Sequence, residues 1–435
     1  MRTTIRLAVT AILATSGVAV ATPASAAPID DVVSSFTYTR NMHPMGYSPR
    51  TGTINSDLAF WGDLAVQGNY VGFRLIDISA PSRPVELLNY SECAGNQGDL
   101  LIWENLLVRS WNSPAPAGST CDGQPVPMGF EGLHVFDISN RSDPRLLAAV
   151  NMSATSTPVG CGSHTATLVP DVANGAVYVY NSASSAACPG IDIVRIPLDN
   201  PAGATFLHRV PTGRSCHDTG VILGSAMLAA CAGGNGFTVL SLGGPAGGTI
   251  ANPVVLYSKE VPGVTIGHSA AFTWDGEVLV FGHEPGGGTQ ARCQASSSVV
   301  DRTLFFFAAR TGEQLGTIVH PRPQTATENC TWHNYNIVPL RNRYVLVSGN
   351  YQSGISVVDF TDPANAREIA YADPAPLSPT TLITGGDWSA YWYNGFIYES
   401  DITRGLLVWN LSSRYVAGAR KLDHLNPQTT EFTLR

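Results

Sequence analysis

The sequence predicts an all-β protein, a seven-bladed β-propeller whose blades are four-stranded antiparallel sheets. A short strand-turn-strand phrase recurs seven times, and a β-hairpin precedes each copy. The composition agrees, because 44% of the 435 residues are hydrophobic, only 13% are charged, and 43 Gly and 29 Pro supply turns. Repeated units of roughly 40–65 residues with four strands each are typical of propellers.

The recurring phrase supplies the third strand of each blade, a Ser/Pro turn and the fourth strand. Its apolar and polar residues alternate, which is the period of a half-buried strand. We expect the Asp that ends the clear copies to cap the following turn with its carboxylate. The clear copies are segments 72–84, 132–144 and 354–363, and the weaker ones are 190–198, 236–242, 302–309 and 405–411.

The hairpins supply the first two strands. Asp275-Gly276 and Asn394-Gly395 are two-residue sequences that strongly favour tight hairpin turns. The clear copies of the phrase resemble the LVIVD repeat of exported bacterial propeller proteins. This resemblance covers most of residues 54–411 and implies the propeller fold. It implies no activity.

The N-terminus has the pattern of a secretory signal peptide. Arg2 and Arg6 precede the apolar run 7–20, and Ala24-Ser25-Ala26 matches a cleavage site. We therefore predict a signal peptide over 1–26 and a single propeller domain over 27–435. A membrane anchor is less favoured, since the run is shorter than the ~20 residues that span a bilayer. The predicted product is secreted and has no membrane span after cleavage.

Eight cysteines in an exported chain predict four disulfides. We predict the sequential pairing, and Cys216–Cys231 is the best supported pair because these residues flank one hairpin. The cysteines are Cys93, Cys121, Cys161, Cys188, Cys216, Cys231, Cys293 and Cys330.

Aligning the seven hairpins places one polar residue at the start of each innermost strand, where it faces the mouth of the central channel. Four of the ten histidines fall at these seven positions and come from consecutive blades. The blades are predicted to start near Asp57, Asp99, His164, His217, His268, His333 and Asp387. The outermost strand of blade 7 is expected to come from segment 36–41 or from segment 414–422, and we favour the N-terminal one.

These positions predict a metal site at the channel mouth. Imidazoles that converge from several strands suit a divalent transition metal, so His164, His217, His268 and His333 are the predicted ligands. We expect Asp57, Asp99, Asp387 and His283 to support them or to hold an additional cation. The sequence does not distinguish Fe, Cu, Zn, Mn or Ca. The alternative is a purely structural polar plug that ties the blades together at the axis.

Two classes of function remain open. One is a metal-dependent enzyme of oxidative type, or of lyase type with a His or Tyr335 as the base. The other is a non-enzymatic propeller that binds a protein or glycan at the cell surface, with a structural ring. The predicted partner is a small-molecule, glycan or protein ligand at the channel mouth. The net charge of −8 argues against nucleic acid.

Overall fold

The computed structural model describes residues 28–153, 161–183 and 188–434. Seven antiparallel four-stranded blades surround a central channel, which confirms the predicted β-propeller. The innermost strand of each blade, strand a, begins within two residues of its predicted position. The predicted signal peptide, residues 1–26, lies outside the described residues.

The blades follow one another along the chain, and strands a to d run from the channel outward. Blades 1 and 2 consist of Asn55–Trp61, Leu64–Asn69, Gly72–Asp77 and Val85–Tyr90, then Leu100–Trp103, Leu106–Trp111, Gly132–Asp137 and Arg145–Asn151. Blades 3 and 4 consist of Thr165–Asp171, Ala176–Ser182, Ile191–Pro197 and Thr205–Val210, then Thr219–Ile222, Leu228–Gly233, Gly236–Ser241 and Val254–Glu260. Blades 5 and 6 consist of Gly267–Phe272, Val278–His283, Thr303–Ala308 and Gln314–Val319, then Asn334–Ile337, Val345–Gly349, Ile355–Asp359 and Arg367–Asp373. Strands a to c of blade 7 are Asp387–Tyr393, Phe396–Asp401 and Gly405–Leu411.

The elements outside the blades are short. A hairpin is inserted between strands b and c of blade 2, and one helical turn precedes the ring. These are the strands Thr120–Cys121 and Gln124–Pro125 and the helix Ile29–Val32, with 3₁₀ turns at Val172–Asn174, Pro201–Gly203, Gly244–Ala246, Val300–Arg302 and Pro363–Asn365. Within the part of the chain that the structure describes, no helix is long and apolar enough to cross a membrane.

Local turn chemistry follows the sequence. The carboxylates of Asp77, Asp137 and Asp359 each accept a hydrogen bond from the backbone N–H two residues further on, at 2.8, 2.8 and 3.1 Å. This confirms their predicted role as turn caps. In the blade 7 hairpin, Asn394 and Gly395 both have positive φ, 51° and 105°, as a tight hairpin turn requires.

The core lies between neighbouring blades rather than inside any one of them. Ring stacking joins Phe306 of blade 5 to Phe360 at the end of strand c in blade 6, with ring centroids 4.7 Å apart. Phe60 of blade 1 stacks on Tyr393 of blade 7, also at 4.7 Å. Because each blade buries both faces against its neighbours, the ring fixes the positions of all seven strands a around the channel.

An N-terminal strand closes the ring. Met42–Pro49 pairs with strand c of blade 7 and completes that blade. The sequence favoured the N-terminal segment for this role but placed it at 36–41, and that position is wrong. Thr37–Tyr38 instead pairs with strand d of blade 6. The other candidate, segment 414–422, supplies no outer strand.

The C-terminal segment, residues 422–434, enters the channel at the end where strands a finish. His424–Leu425 pairs with strand a of blade 1, and Thr429–Thr430 pairs in parallel with strand a of blade 4. Between them, the Asn426 side chain bonds to both the N–H and the carbonyl of Ile102 in blade 2. The chain therefore fills one end of its own channel.

Four disulfides have the predicted sequential pairing: Cys93–Cys121, Cys161–Cys188, Cys216–Cys231 and Cys293–Cys330. Cys231 lies in strand b of blade 4 and Cys216 precedes strand a, so this bond spans one hairpin as expected. The described residues contain no free cysteine.

Candidate metal centre at the channel mouth

A cavity of about 400 Å³ occupies the channel at the end where strands a begin. Six of the eight predicted metal-site residues line it, and two of the eight, Asp387 and His283, do not. The six are Asp57, Asp99, His164, His217, His268 and His333.

The four imidazoles form an arc along one side of the cavity, in blade order. Neighbouring ring centroids are 4.5 Å apart for His164–His217, 3.9 Å for His217–His268 and 4.6 Å for His268–His333. The Nε2 atoms of His164 and His217 lie 2.8 Å from each other. Four residues that are distant in sequence thus form one continuous surface of ring nitrogens.

A polar partner holds the Nδ1 atom of each imidazole. His164 Nδ1 lies 2.8 Å from Asn112 Oδ1, and the amide of Asn112 is oriented by its bond to Gln97. His333 Nδ1 donates to the Trp388 carbonyl at 2.6 Å. Since both Nδ1 atoms carry the proton, the Nε2 atoms of the neutral rings are free to accept a bond or bind a metal.

The two central histidines have the same arrangement. His217 Nδ1 lies 3.2 Å from Asp218 Oδ1. His268 Nδ1 bonds to Ser269 Oγ, whose own hydroxyl donates to the His333 carbonyl at 2.7 Å. Metal-binding histidines usually donate their second ring nitrogen in this way, which fixes the tautomer and the ring orientation.

Two acidic residues lie among the histidines. Glu284 Oε2 is 3.7 Å from His268 Nε2, and Glu284 Oε1 is 3.6 Å from His333 Nε2. Asp218 Oδ2 is 3.8 Å from His268 Nδ1. The Tyr351 hydroxyl donates to Glu284 at 2.6 Å and lies 2.9 Å from His333 Nε2. Carboxylate and imidazole groups, both potential metal ligands, therefore alternate along this wall.

Burial keeps most of the arc neutral. It lowers the pKa of His164 and His268 well below the ordinary value, with neighbouring histidines adding to the effect, and it lowers the pKa of His333 to about 3. Burial also opposes charge on His217, but the hydrogen bond and charge of Asp218, with Glu284, outweigh it and raise that pKa. Metal ligands must be neutral imidazoles, so three of the four are already in the binding form.

The opposite wall carries Asp57 and Asp99. Asp57 accepts from Tyr391 Oη at 2.7 Å and from Gln428 Nε2, in the C-terminal segment, at 3.2 Å. Asp99 accepts from the N–H of Ala166 at 2.7 Å. Burial raises the pKa of both carboxyl groups, and for Asp99 the charge of Asp57 adds to the rise.

β-Bulges explain why Asp387 does not line the cavity. Strand a is irregular at its start in blades 1, 5 and 7. The pairing makes Asp387 the counterpart of Gly267 in blade 5, and the residue after it, Trp388, lines the cavity as His268 does. Bulges re-aim side chains in this way and are common beside functional sites. His283 pairs opposite Gly267, and its Nε2 accepts from the N–H of Thr265 at 3.2 Å.

Some residues of the site carried no clear sequence signal. Asp218 adjoins His217 outside the aligned register, while Asn112 and Tyr351 lie in the connections after strands b. Trp388, Tyr70 and Tyr351 also line the cavity. Tyr335, one of the candidate bases for lyase-type chemistry, is buried between blades, and its hydroxyl donates to the Ser269 carbonyl at 2.9 Å.

Two overlapping sets of side chains in the arc, which share His268, are each nearly compact enough to bind one metal ion. Potential ligand atoms of His217, Asp218 and His268 lie within 4.8 Å of one another, and so do those of His268, Glu284 and His333. Ligands of one transition-metal ion at about 2.1 Å lie at most about 4.2 Å apart. Either set therefore needs at most a small contraction. The clusters around His134 and His320 contain disulfide-bonded cysteines, which offer no thiolate.

The sequence pattern of the LVIVD repeat matches residues 62–92 and 128–152. The chain carries LVIVD repeats. The first matched LVIVD segment spans strands b to d of blade 1, and the second spans strands c and d of blade 2. No protein of curated function matches the chain.

Solved structures show the same fold as this LVIVD-repeat chain. The β-propeller domain of Cps50 (Swd1) from Myceliophteria thermophila is 9% identical, with a TM-score of 0.51, and the match covers 85% of this chain and 99% of that one. A suspected 6-phosphogluconolactonase from Bacteroides uniformis is 11% identical, with a TM-score of 0.50, and the match covers 80% of this chain and 89% of that one. At such low identity the likeness concerns the fold alone.

Proposed function

We propose that this protein binds a divalent transition-metal ion at the channel mouth and presents it to a small ligand in the cavity. Nε2 atoms of His217, His268 and His333 and the carboxylate of Glu284 are the central ligands, and His164 extends the set. The observation that carries the proposal is the orientation of the arc, in which polar partners hold the Nδ1 atoms and leave the Nε2 atoms as the positions for a metal ion. The Tyr351 hydroxyl, 2.9 Å from His333 Nε2, is the one protein group that the ion would displace there.

The contact between His164 and His217 supports a bound cation. Both rings use Nδ1 as a donor, so two bare Nε2 lone pairs face each other at 2.8 Å. Such a contact is repulsive unless a proton or a metal ion lies between the nitrogens. Nitrogen ligands of one metal ion at about 2.0 Å are about 2.8 Å apart when they subtend a right angle and about 3.3 Å apart in a tetrahedral site. A single proton on His217 is the competing explanation, and it needs no metal.

The charge of the cavity also favours a cation. Asp57, Asp99, Asp218 and Glu284 line it, while the lining formed by the described residues contains no Lys or Arg. Segments 154–160 and 184–187 contain no Lys or Arg in their sequence either. An anionic substrate such as a uronate would meet four carboxyl groups. We therefore favour an uncharged substrate and chemistry of the oxidative type, with the ion leaving a coordination position open toward the cavity.

The purely structural alternative is weakened by the C-terminal segment. Residues 422–434 already join strands a of blades 1 and 4 and contact blade 2 across the other end of the channel. The ring does not need a polar plug at the mouth to hold its blades together. The four largely buried imidazoles at the mouth are therefore not explained by a need to hold the blades together.

Metal analysis tests the proposal. The purified protein is dialysed with Fe, Cu, Zn, Mn or Ca in turn, and the metal content is measured together with that of His217→Ala and His268→Ala. We expect about one transition-metal ion per chain in the wild type and a loss of at least about tenfold in affinity in each variant.

The matched control is His43→Ala, since His43 is an exposed histidine outside the cavity. It should retain full metal content. Less than about 0.1 ion per chain with every metal, or equal content in all variants, would refute the proposal.

A second candidate function is glycan binding at the same mouth. Trp388 and Tyr70 line the cavity with their rings edge to face, 6.5 Å apart. Aromatic faces of this kind stack on the apolar faces of sugar rings. Titration with neutral oligosaccharides, monitored by isothermal titration calorimetry, tests this. Trp388→Ala should abolish the response, and binding that survives in this variant would exclude the site.

A further inference from the structure

Tyr351 lies between two of the proposed ligands, at the His333 end of the arc. Its hydroxyl oxygen, Oη, is 2.6 Å from Glu284 Oε1 and 2.9 Å from His333 Nε2, and its ring stacks on the His333 imidazole with centroids 4.2 Å apart. The side chain lines the mouth cavity, although only 4% of the residue is exposed. The phenol is therefore part of the wall of the proposed metal site.

The backbone holds Tyr351 in a rare conformation. Its φ is 55°, in the left-handed region, which is strained for a residue with a bulky side chain. Two hydrogen bonds maintain it, because the Tyr351 N–H donates to the Asp387 carbonyl at 3.0 Å and the Asp387 N–H donates to the Tyr351 carbonyl at 2.9 Å. Strain of this kind clusters at functional sites, and here it accompanies a ring that packs against His333.

A glycine packs closely against the hydroxyl. Gly288, in the loop after strand b of blade 5, has a φ of 66°, and the Asn329 amide donates to its carbonyl at 2.8 Å. A Cβ atom on Gly288 would collide with both Tyr351 Oη and Glu284 Oε1. The loop can approach these two oxygens only because residue 288 has no side chain.

The hydrogen bonds at this hydroxyl are incomplete. His333 donates its Nδ1 proton to the Trp388 carbonyl, so Nε2 of the neutral ring carries a lone pair. Tyr351 has one hydroxyl proton for two acceptors, Glu284 Oε1 and His333 Nε2. Whichever acceptor receives the proton, the other contact, at 2.9 or 2.6 Å, brings two lone pairs together. A cation next to all three atoms would stabilise both contacts.

The three atoms are placed as the ligands of one ion. Glu284 Oε1 and His333 Nε2 are 3.6 Å apart, which completes a triangle with sides of 2.6, 2.9 and 3.6 Å. The circle through these three points has a radius of about 1.8 Å, and transition-metal ions bind such atoms at about 2.0–2.2 Å. An ion slightly above the plane can therefore contact all three without any movement of the protein.

We propose that Tyr351 Oη is a ligand of the ion at the mouth, beside Glu284 and His333. This inference rests on the proposed metal site and adds an oxygen ligand to it. When the ion binds, the bond between Oη and the metal forms, the O–H bond breaks and the proton leaves to solvent. Oη thus exchanges its contact with His333 Nε2 for a bond to the ion.

The ligand set narrows the choice of metal. A bound cation favours the deprotonated oxygen, as it does for coordinated water and thiol groups. A phenolate oxygen beside imidazole nitrogens suits iron or copper rather than Ca²⁺, which takes oxygen ligands. Both metals change oxidation state readily, in keeping with chemistry of the oxidative type.

Copper spectroscopy tests this ligand. A phenolate bound to Cu²⁺ gives an intense charge-transfer band in visible light, and imidazole and carboxylate ligands give no band of this kind. The wild type loaded with equimolar Cu²⁺ should show the band. Tyr351→Phe, which keeps the ring and removes Oη, should lose the band and bind Cu²⁺ at least about tenfold more weakly.

The matched control is Tyr344→Phe. The Tyr344 hydroxyl also donates to a carboxylate at 2.6 Å, that of Asp275, but Tyr344 precedes strand b of blade 6 on the face opposite the mouth. This variant should keep both the band and the affinity.

Three outcomes would overturn the inference. A wild type that binds Cu²⁺ without the band, or equal or tighter binding in Tyr351→Phe, would leave the metal site standing and make Tyr351 a hydroxyl that the ion only pushes aside. A wild type that takes up no Cu²⁺ would also end it, and if no other metal binds either, the proposed function fails as well. Because the wild-type spectrum decides by itself, a Tyr351→Phe chain that fails to fold leaves the test intact.

Discussion

The two ends of the channel are built from the same seven strands and have opposite characters. At the mouth, strands a begin with histidines and acids around a cavity of about 400 Å³. At the other end, residues 422–434 fill the space with backbone pairing, and Leu425 and Leu434 pack into the core beside Trp274. The chain thus closes one end with its own residues and keeps the other open and polar. From this contrast we expect the closed end to contribute stability and the mouth to contribute ligand binding.

Removing the C-terminal segment should have the largest effect. A chain that ends at residue 421 loses Leu422, Leu425 and Leu434, which are all buried. At about 2 kcal/mol for each buried leucine, the free energy of unfolding should fall by roughly 5 kcal/mol or more. Urea unfolding of the full and shortened chains measures this. A shortened chain with full stability would show that the closed end does not hold the ring together.

Asn426→Ala should come next in size. The substitution removes two bonds to the backbone of Ile102 and leaves a buried N–H and a buried carbonyl without partners. We expect a loss of about 2–3 kcal/mol of unfolding free energy. Gln428→Ala is the matched control, because Gln428 makes its bond to Asp57 on the mouth side. Equal losses in both variants would contradict the division between the two ends.

Acid should weaken metal binding at the mouth through His217 first. Its pKa is raised, whereas the pKa values of His164, His268 and His333 are lowered. As the pH falls through the folded pKa of His217, one proton competes with the ion, and affinity should drop about tenfold per pH unit, or about 1.4 kcal/mol. Asp218→Asn removes the group that raises this pKa and should shift the drop to lower pH. Affinity that is flat from pH 8 to about pH 5 would exclude His217 as a ligand.

The smallest expected effect is that of Asp57→Asn. Burial raises the folded pKa of this carboxyl group above its unfolded value, so its contribution to stability grows as the pH falls through the folded pKa and is lost at higher pH. The amide that replaces the carboxylate can still accept from Tyr391. It can also donate to Gln428 Oε1, which has no partner among the described residues, once the Gln428 amide turns over. We expect the variant to be more stable than the wild type at pH 8, by no more than about 1 kcal/mol. If Asp57→Asn gained more stability over the wild type at acid pH than at pH 8, the predicted pH dependence would be wrong.

The sequence predicts the blades, the disulfides and the histidine positions well, because each depends on local patterns. Asn394-Gly395 marks a hairpin by itself, and the Asp cap at residue 137 marks a turn. The C-terminal segment has no such pattern, since Asn426 and Gln428 act only through partners hundreds of residues away. The placement of Asp387 also escapes prediction. One bulge residue, Trp388, interrupts the alternation of side chains between the two faces of the strand. No residue type in the sequence predicts such a bulge.

Ring closure has a consequence for how this molecule is made. The outermost strand of blade 7, Met42–Pro49, is synthesised before any of the seven innermost strands, and its partner, Gly405–Leu411, is synthesised after all of them. Contacts between such distant parts of a chain form slowly. Met42–Pro49 therefore stays without its partner strand until all seven innermost strands have been synthesised. The meeting of its two ends is the step that we expect to limit the rate of folding.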